Sequence, residues 1–173
     1  MKNLRIVSIF LALLILPFSA FSIDNEPEQS FEYGKRLLLK MREKIYNFEI
    51  YDTSIYSNLA KCSLIFACES NRLDGLYWNA MSKFLYGLAK MGTNDKKIAF
   101  EYLEKGRLML TQAIKAHGES SEVYLLLSDI YIQLLSCKGL GYKLANIRKL
   151  KEYPEKALSL DPANVKAHNP LAL

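Results

Sequence analysis

Apolar residues recur along this chain at steps of three and four, and almost nowhere at steps of two. Leu38, Met41, Ile45 and Phe48 line one face of a helix expected over 31–48. Tyr51, Asp52 and Thr53 read as a turn, with Asp52 or Thr53 placed to cap a second helix over 55–67. Glu69, Ser70 and Asn71 break the pattern. A strongly apolar third helix follows over 73–91 and is stopped by Gly92, Thr93 and Asn94. Asp95 caps a fourth helix, which ends at Ala116 before His117 and Gly118. Ser120 or Ser121 opens a fifth, as far as Ser136, and Lys138-Gly139-Leu140-Gly141 turns the chain. A sixth helix spans 142–160, and Pro154 inside it should kink or restart it. Asp161-Pro162 stops that helix, and a seventh starts at Val165. The pattern predicts an all-α fold of antiparallel helical hairpins, six to seven helices and no sheet.

Two of these helices overlay. Trp78, Met81, Ser82 and Leu85 stand 46 residues before Tyr124, Leu127, Ser128 and Tyr131. A small residue among large ones lets a partner helix approach closely while the large ones fill the groove beside it. On this register Trp78 lies in the helix interface, where truncation to Ala would cost roughly 3–5 kcal/mol. Ala113 and Ala157 supply the small residue in the helices that follow, 44 residues apart. Together with Glu155-Lys156-Ala157-Leu158-x-Leu160-Asp161-Pro162-x-Asn164-x-x-Ala167, this pattern resembles the tetratricopeptide repeat. A standard repeat is about 34 residues, so these are longer by roughly ten. The segment 121–173 is similar to bacterial tetratricopeptide-like proteins in which a short lysine-rich helix precedes the Asp-Pro stop. Leu76-Tyr77-Trp78-Asn79-Ala80 also resembles the exported helical-repeat component associated with TRAP-type transporters. The resemblance implies a TPR-like superhelix that binds a partner chain in a concave groove. Family members continue with another hairpin where this chain reads His168-Asn169-Pro170-Leu171-Ala172-Leu173. The expectation is therefore a fragment of a longer protein, or an end buried by self-association.

The first residues change the expected location. Lys2 and Arg5 precede an uncharged apolar run over 6–18, and Ala20-Phe21-Ser22 offers small residues before Ile23. This is the layout of a secretory signal peptide over 1–22, followed by a polar leader over 23–30 and a helical-repeat domain over 31–173. The run is shorter than the roughly 20 residues of a membrane span, and no later stretch is longer and as apolar. The mature chain is expected to be exported, periplasmic or envelope-associated, without a stable span. Of 173 residues, 50% are apolar, enough for one domain with a core. Without Lys2 and Arg5 the chain holds 21 basic and 18 acidic residues, interspersed, which does not suit a nucleic-acid partner.

Catalytic patterns are missing from the sequence. There is no HExxH, GxSxG or P-loop, and Gly139-x-Gly141 lacks the third Gly and the preceding strand of a dinucleotide loop. Glu101/Glu104 and Glu152/Glu155 read as solvated helix faces. His117 and His168, both at helix ends, are accounted for by the helix dipole. Cys62, Cys68 and Cys137 read as buried free thiols, with a Cys68–Cys137 or Cys62–Cys137 disulfide as the alternative in an exported protein. No enzyme, cofactor or metal is expected.

The stripe beside the overlaid core positions is Asn79, Lys83, Tyr86 and Lys90, and 46 residues on it is Leu125, Asp129, Ile132 and Ser136, with Gln133 adjacent. Asn79, Lys83, Tyr86, Asp129 and Gln133 are the candidate partner-binding residues, suited to an extended peptide or polar chain, against the plainer reading of a solvent face. The expected function is a scaffold that binds a protein or peptide non-covalently. A periplasmic small-ligand carrier or transport accessory is the alternative, and a closed pocket lined by Tyr77, Trp78 and Tyr86 would distinguish it.

Overall fold

A computed structural model of the chain describes residues 30–164, and these form seven helices with no strand. They are α1 (Phe31–Tyr46), α2 (Ser54–Ala67), α3 (Leu73–Gly92), α4 (Lys96–His117), α5 (Ser121–Cys137), α6 (Leu140–Asn146) and α7 (Lys149–Leu160). The proposed signal segment, most of the polar leader and the helix expected at Val165 lie outside the described residues.

Local chemistry sets the boundaries. Ser30 Oγ accepts the Tyr33 N–H at the start of α1, and Asp95 Oδ1 accepts that of Ile98 at the start of α4. Between α1 and α2, Asp52 and not Thr53 is the group that acts. Its carboxylate accepts the Ser54 N–H at 2.9 Å and an ammonium proton of Lys44. Two helix ends close with paired crossing bonds. Glu49 N–H reaches Lys44 O while Phe48 N–H reaches Ile45 O, and Asp95 and Asn94 repeat the arrangement on Lys90 and Met91. Each closure needs a left-handed residue, and these are Phe48 (φ 61°) and Asn94 (φ 62°). The apolar stripe of the first helix therefore stops at Ile45, and Phe48 points away from the core, 82% exposed.

The sixth expected helix is two helices. Gly139 opens α6, so the turn is confined to Lys138 and Gly139, and Leu140 and Gly141 are already helical. The break falls at Ile147 and Arg148, ahead of Pro154, which is buried inside α7. Restarting at Lys149 leaves Pro154 to forgo a single helical bond, the one to Leu150 O. At the far end, Asp161 Oδ1 accepts the Ala163 N–H, and Asn164 Nδ2 donates to Ser121 Oγ at 3.0 Å, tying the chain to α5.

Successive helices pack as hairpins, α1 on α2, α3 on α4 and α5 on α7, with α3 also against α1, α2 and α5. α3 can take so many neighbours because Gly75, Ala80, Ser82, Gly87 and Ala89 are small and buried. At Gly75 a Cβ would stand 1.9 Å from the Glu69 carbonyl oxygen, so the turn out of α2 can cross α3 only at a glycine. Leu38 and Met41 of α1, Leu59 and Phe66 of α2, Leu85 of α3, Leu103 and Leu110 of α4, and Leu126, Ile130 and Leu134 of α5 form one continuous core. Ala113 and Ala157 are fully buried, as the overlay requires, and so are Ser82 and Ser128. Trp78 departs from it: the ring is half-buried and stands at the rim of a cavity.

Candidate functional site

Helices α1, α3 and α5 lie side by side and enclose a cavity of about 480 Å³. α1 presents Leu38, Leu39, Arg42 and Tyr46, at helical spacing along one face. α3 presents Asp74, Tyr77, Trp78, Met81 and Leu85, and α5 presents Glu122, Leu125, Leu126 and Asp129. Steps of three and four on all three helices aim these side chains into one space.

The aromatic wall is braced from behind. Trp78 packs on Phe66 with ring centroids 6.2 Å apart and on Tyr77 edge-on at 5.5 Å. Lys35 places its ammonium 5.5 Å from the Trp78 ring centroid. Arg42 lies 5.5 Å from the Tyr46 ring centroid, at the edge of the cavity. Burial, and after it the carboxylates of Glu122 and Asp129, hold the Tyr77 hydroxyl protonated well above the usual phenol range, against the pull of Arg42.

Asp129 is exposed at the mouth of the cavity, with protein on its inner side. That desolvation pushes its carboxyl up to about 6, with Arg42 opposing from a distance. Among the described residues no hydrogen bond or ion pair reaches it.

The structure divides the expected binding stripe. Leu125 and Asp129 face the cavity. Asn79, Lys83 and Tyr86 do not; they sit on the other side of α3, against α2 and α4. There Lys83 Nζ donates to Ser63 Oγ at 2.6 Å, and Ser63 donates to Asn79 Oδ1 at 2.8 Å. Tyr86 stacks on Tyr102 at 3.9 Å and meets Tyr56 edge-on at 5.2 Å, while Lys90 lies 4.3 Å from the Tyr56 centroid. Burial, then the neighbouring Lys105, lowers the Lys83 pKa. Gln133 is half-buried one turn beyond Asp129 and outside the cavity. Tyr77 and Trp78, expected in a pocket wall only under the carrier reading, do line the cavity without Tyr86, and Met81, expected in the helix interface, joins them. Asp74-x-x-Tyr77-Trp78-x-x-Met81 is itself a helical stripe carrying an acid, and that acid was the available signal.

A second depression between the start of α5 and α7 is lined by Glu119, Arg148, Lys151, Glu152, Glu155 and Lys156. Most of its charges pair within it, Lys156 on Glu119 at 2.8 Å and Lys151 on Glu155 at 3.6 Å. The three cysteines are free. Only Cys62 is buried, its thiol pushed up to about 11 by that burial; Cys68 is exposed at the end of α2 and Cys137 is half-buried. His117 is the exposed last residue of α4, and His168 lies outside the described residues. Among the described residues no three His, Cys, Asp or Glu side chains stand close enough to hold a metal ion. No helix among them is long and apolar enough to cross a membrane. No protein-family model, curated protein or solved structure matches this chain.

Proposed function

We propose that this protein is an exported, TPR-like helical-repeat scaffold that binds another polypeptide non-covalently, in the cavity between α1, α3 and α5. The observation that supports this reading is the cavity itself. It is a braced aromatic and thioether wall of Tyr77, Trp78 and Met81, open on one side among the described residues. Aromatic side chains give large, rigid contact area, and a flexible Met adapts to irregular shapes beside them. A volume of about 480 Å³ suits one or two side chains of an extended segment. The same volume lies in the range of small-molecule pockets, which favours the small-ligand carrier as the second reading, with Tyr77 and Trp78 in its wall but not Tyr86.

Trp78 is the sole tryptophan, so its emission reports on the cavity directly. Peptides selected from an unbiased display library are expected to shift that emission on titration, and Met81→Lys is expected to abolish the shift. Selected peptides that bind equally well to both proteins without altering the emission would place recognition elsewhere. A shift produced by amino acids or other small solutes, and by no peptide, would favour the carrier.

A further inference from the structure

We propose that the cavity selects a lysine or arginine side chain of the partner polypeptide, its apolar stem lying against Trp78 and Met81 and its cationic head against Asp129. This inference rests on the scaffold reading above and specifies what the partner must present.

The charge balance at the cavity carries it. Asp74, Glu122 and Asp129 line the space and Arg42 is the one basic residue among the lining groups. Yet the chain as a whole is basic, with 23 Lys and Arg against 18 Asp and Glu. Elsewhere among the described residues Asp52 is paired with Lys44, Glu104 with Arg107, Glu119 with Lys156 and Glu152 with Lys149, while Glu43, Glu49 and Glu101 stand unpaired singly on the surface; at the cavity three acids converge on one apolar wall. No ion pair reaches the three cavity acids among the described residues. Arg42 is occupied by the Tyr46 ring and acts on Asp129 only at a distance. These acids stand at the exposed mouth of an apolar wall, an arrangement that suits a cation arriving with its own apolar stem. The aromatic faces of Tyr77 and Trp78 add a second attraction for the same head group. Among the described residues no three His, Cys, Asp or Glu side chains are placed to hold a metal ion here. An acidic or phosphorylated segment would meet three like charges against one arginine.

The test is fluorescence titration of Trp78 at pH 8 and low salt with three blocked pentapeptides, Gly-Leu-X-Leu-Gly, where X is lysine, norleucine or glutamate. The lysine peptide is expected to bind about tenfold or more tightly than the norleucine peptide, and the glutamate peptide most weakly. Asp129→Asn is expected to bring the lysine peptide to parity with norleucine. Arg42→Gln should tighten the lysine peptide, an effect in the opposite direction that a damaged fold would not produce. Equal binding of the lysine and norleucine peptides overturns the cation preference and leaves the scaffold reading standing. Binding of blocked free lysine as tightly as the lysine peptide overturns the polypeptide partner. If display-selected peptides shift Trp78 emission and the lysine peptide does not, this inference alone fails. If no peptide shifts it, the scaffold reading fails as well.

Discussion

Phe48 shows how a single backbone position can contradict a side-chain pattern. It continues the Leu38, Met41, Ile45 series in sequence, but the closing bonds of α1 require a left-handed residue there, and the ring turns out to solvent. A bulky residue in that region carries about 1–2 kcal/mol of strain. Glycine removes it and returns roughly 0.5–1 kcal/mol through greater freedom of the unfolded chain. Phe48→Gly is therefore expected to stabilise the protein by about 0.5–1 kcal/mol in urea denaturation, since no packed ring is lost. Asp129 makes a second case, now electrostatic. Its folded pKa of about 6 stands above the unfolded value, so the folded state binds more protons between pH 4 and 6. Stability contributed by this group accordingly falls as pH rises through that window, and the cost is fully present above it. Arg42 from α1 and Tyr77 from α3 act on it, and Tyr46, Asp74 and Glu122 line the same cavity. Asp129→Asn is expected to stabilise the protein at pH 8 by no more than about 1 kcal/mol, discounted for the water in the cavity, and to make no difference at pH 3. Melting curves at the two pH values measure the contrast.

At the level of elements, α3 is the helix on which the others are arranged. Its inner residues and its cavity residues should respond differently to truncation. Leu85 is fully buried and Leu85→Ala is expected to cost about 2–5 kcal/mol. Trp78 is half-buried, with one face against Phe66 and the other toward the open space, so Trp78→Ala should cost about 1–3 kcal/mol. Chemical denaturation of the two variants compares them on one scale. A Trp78 loss equal to or larger than that of Leu85 would return Trp78 to the helix interface, where the repeat register had placed it. The split of the sixth helix belongs to the same scale. Its periodic pattern runs unbroken from Tyr142 to Leu160, and only the packing of α7 on α5 shows where it gives way.

At the scale of the whole molecule, a helical stripe of uncovered apolar surface lies on α6 among the described residues. Leu140, Leu144 and Ile147, spaced by four and three, are all more than half exposed on α6 and at its end. Monomers rarely leave such a stripe bare. The protein is expected to bind a hydrophobic dye, and Leu140→Ser with Leu144→Ser is expected to remove most of that signal. Dye binding that survives the double substitution would assign the exposed surface elsewhere, for example to Tyr46, Phe48 and Tyr51.

Helix positions and the absence of a sheet among the described residues could be read from one dimension, because steps of three and four, Asp95 at a cap, and Gly118 at a helix end act locally. Burial of Ser82, Ala113, Ser128 and Ala157 could be read too, since close approach of helices demands small residues at a fixed spacing. Which side of α3 stayed open could not. That helix is amphipathic on two sides, and both Asn79-Lys83-Tyr86 and Tyr77-Trp78-Met81 are self-consistent stripes. Only the positions of α2 and α4 covered the first stripe, satisfied its lysine with Ser63 and stacked Tyr86 on Tyr102. Only the spacing of α1 and α5 left the second facing an empty volume, with Asp129 across from it. Periodicity determines that a face is buried or polar; the neighbour that meets it is settled by contacts between residues far apart in the chain.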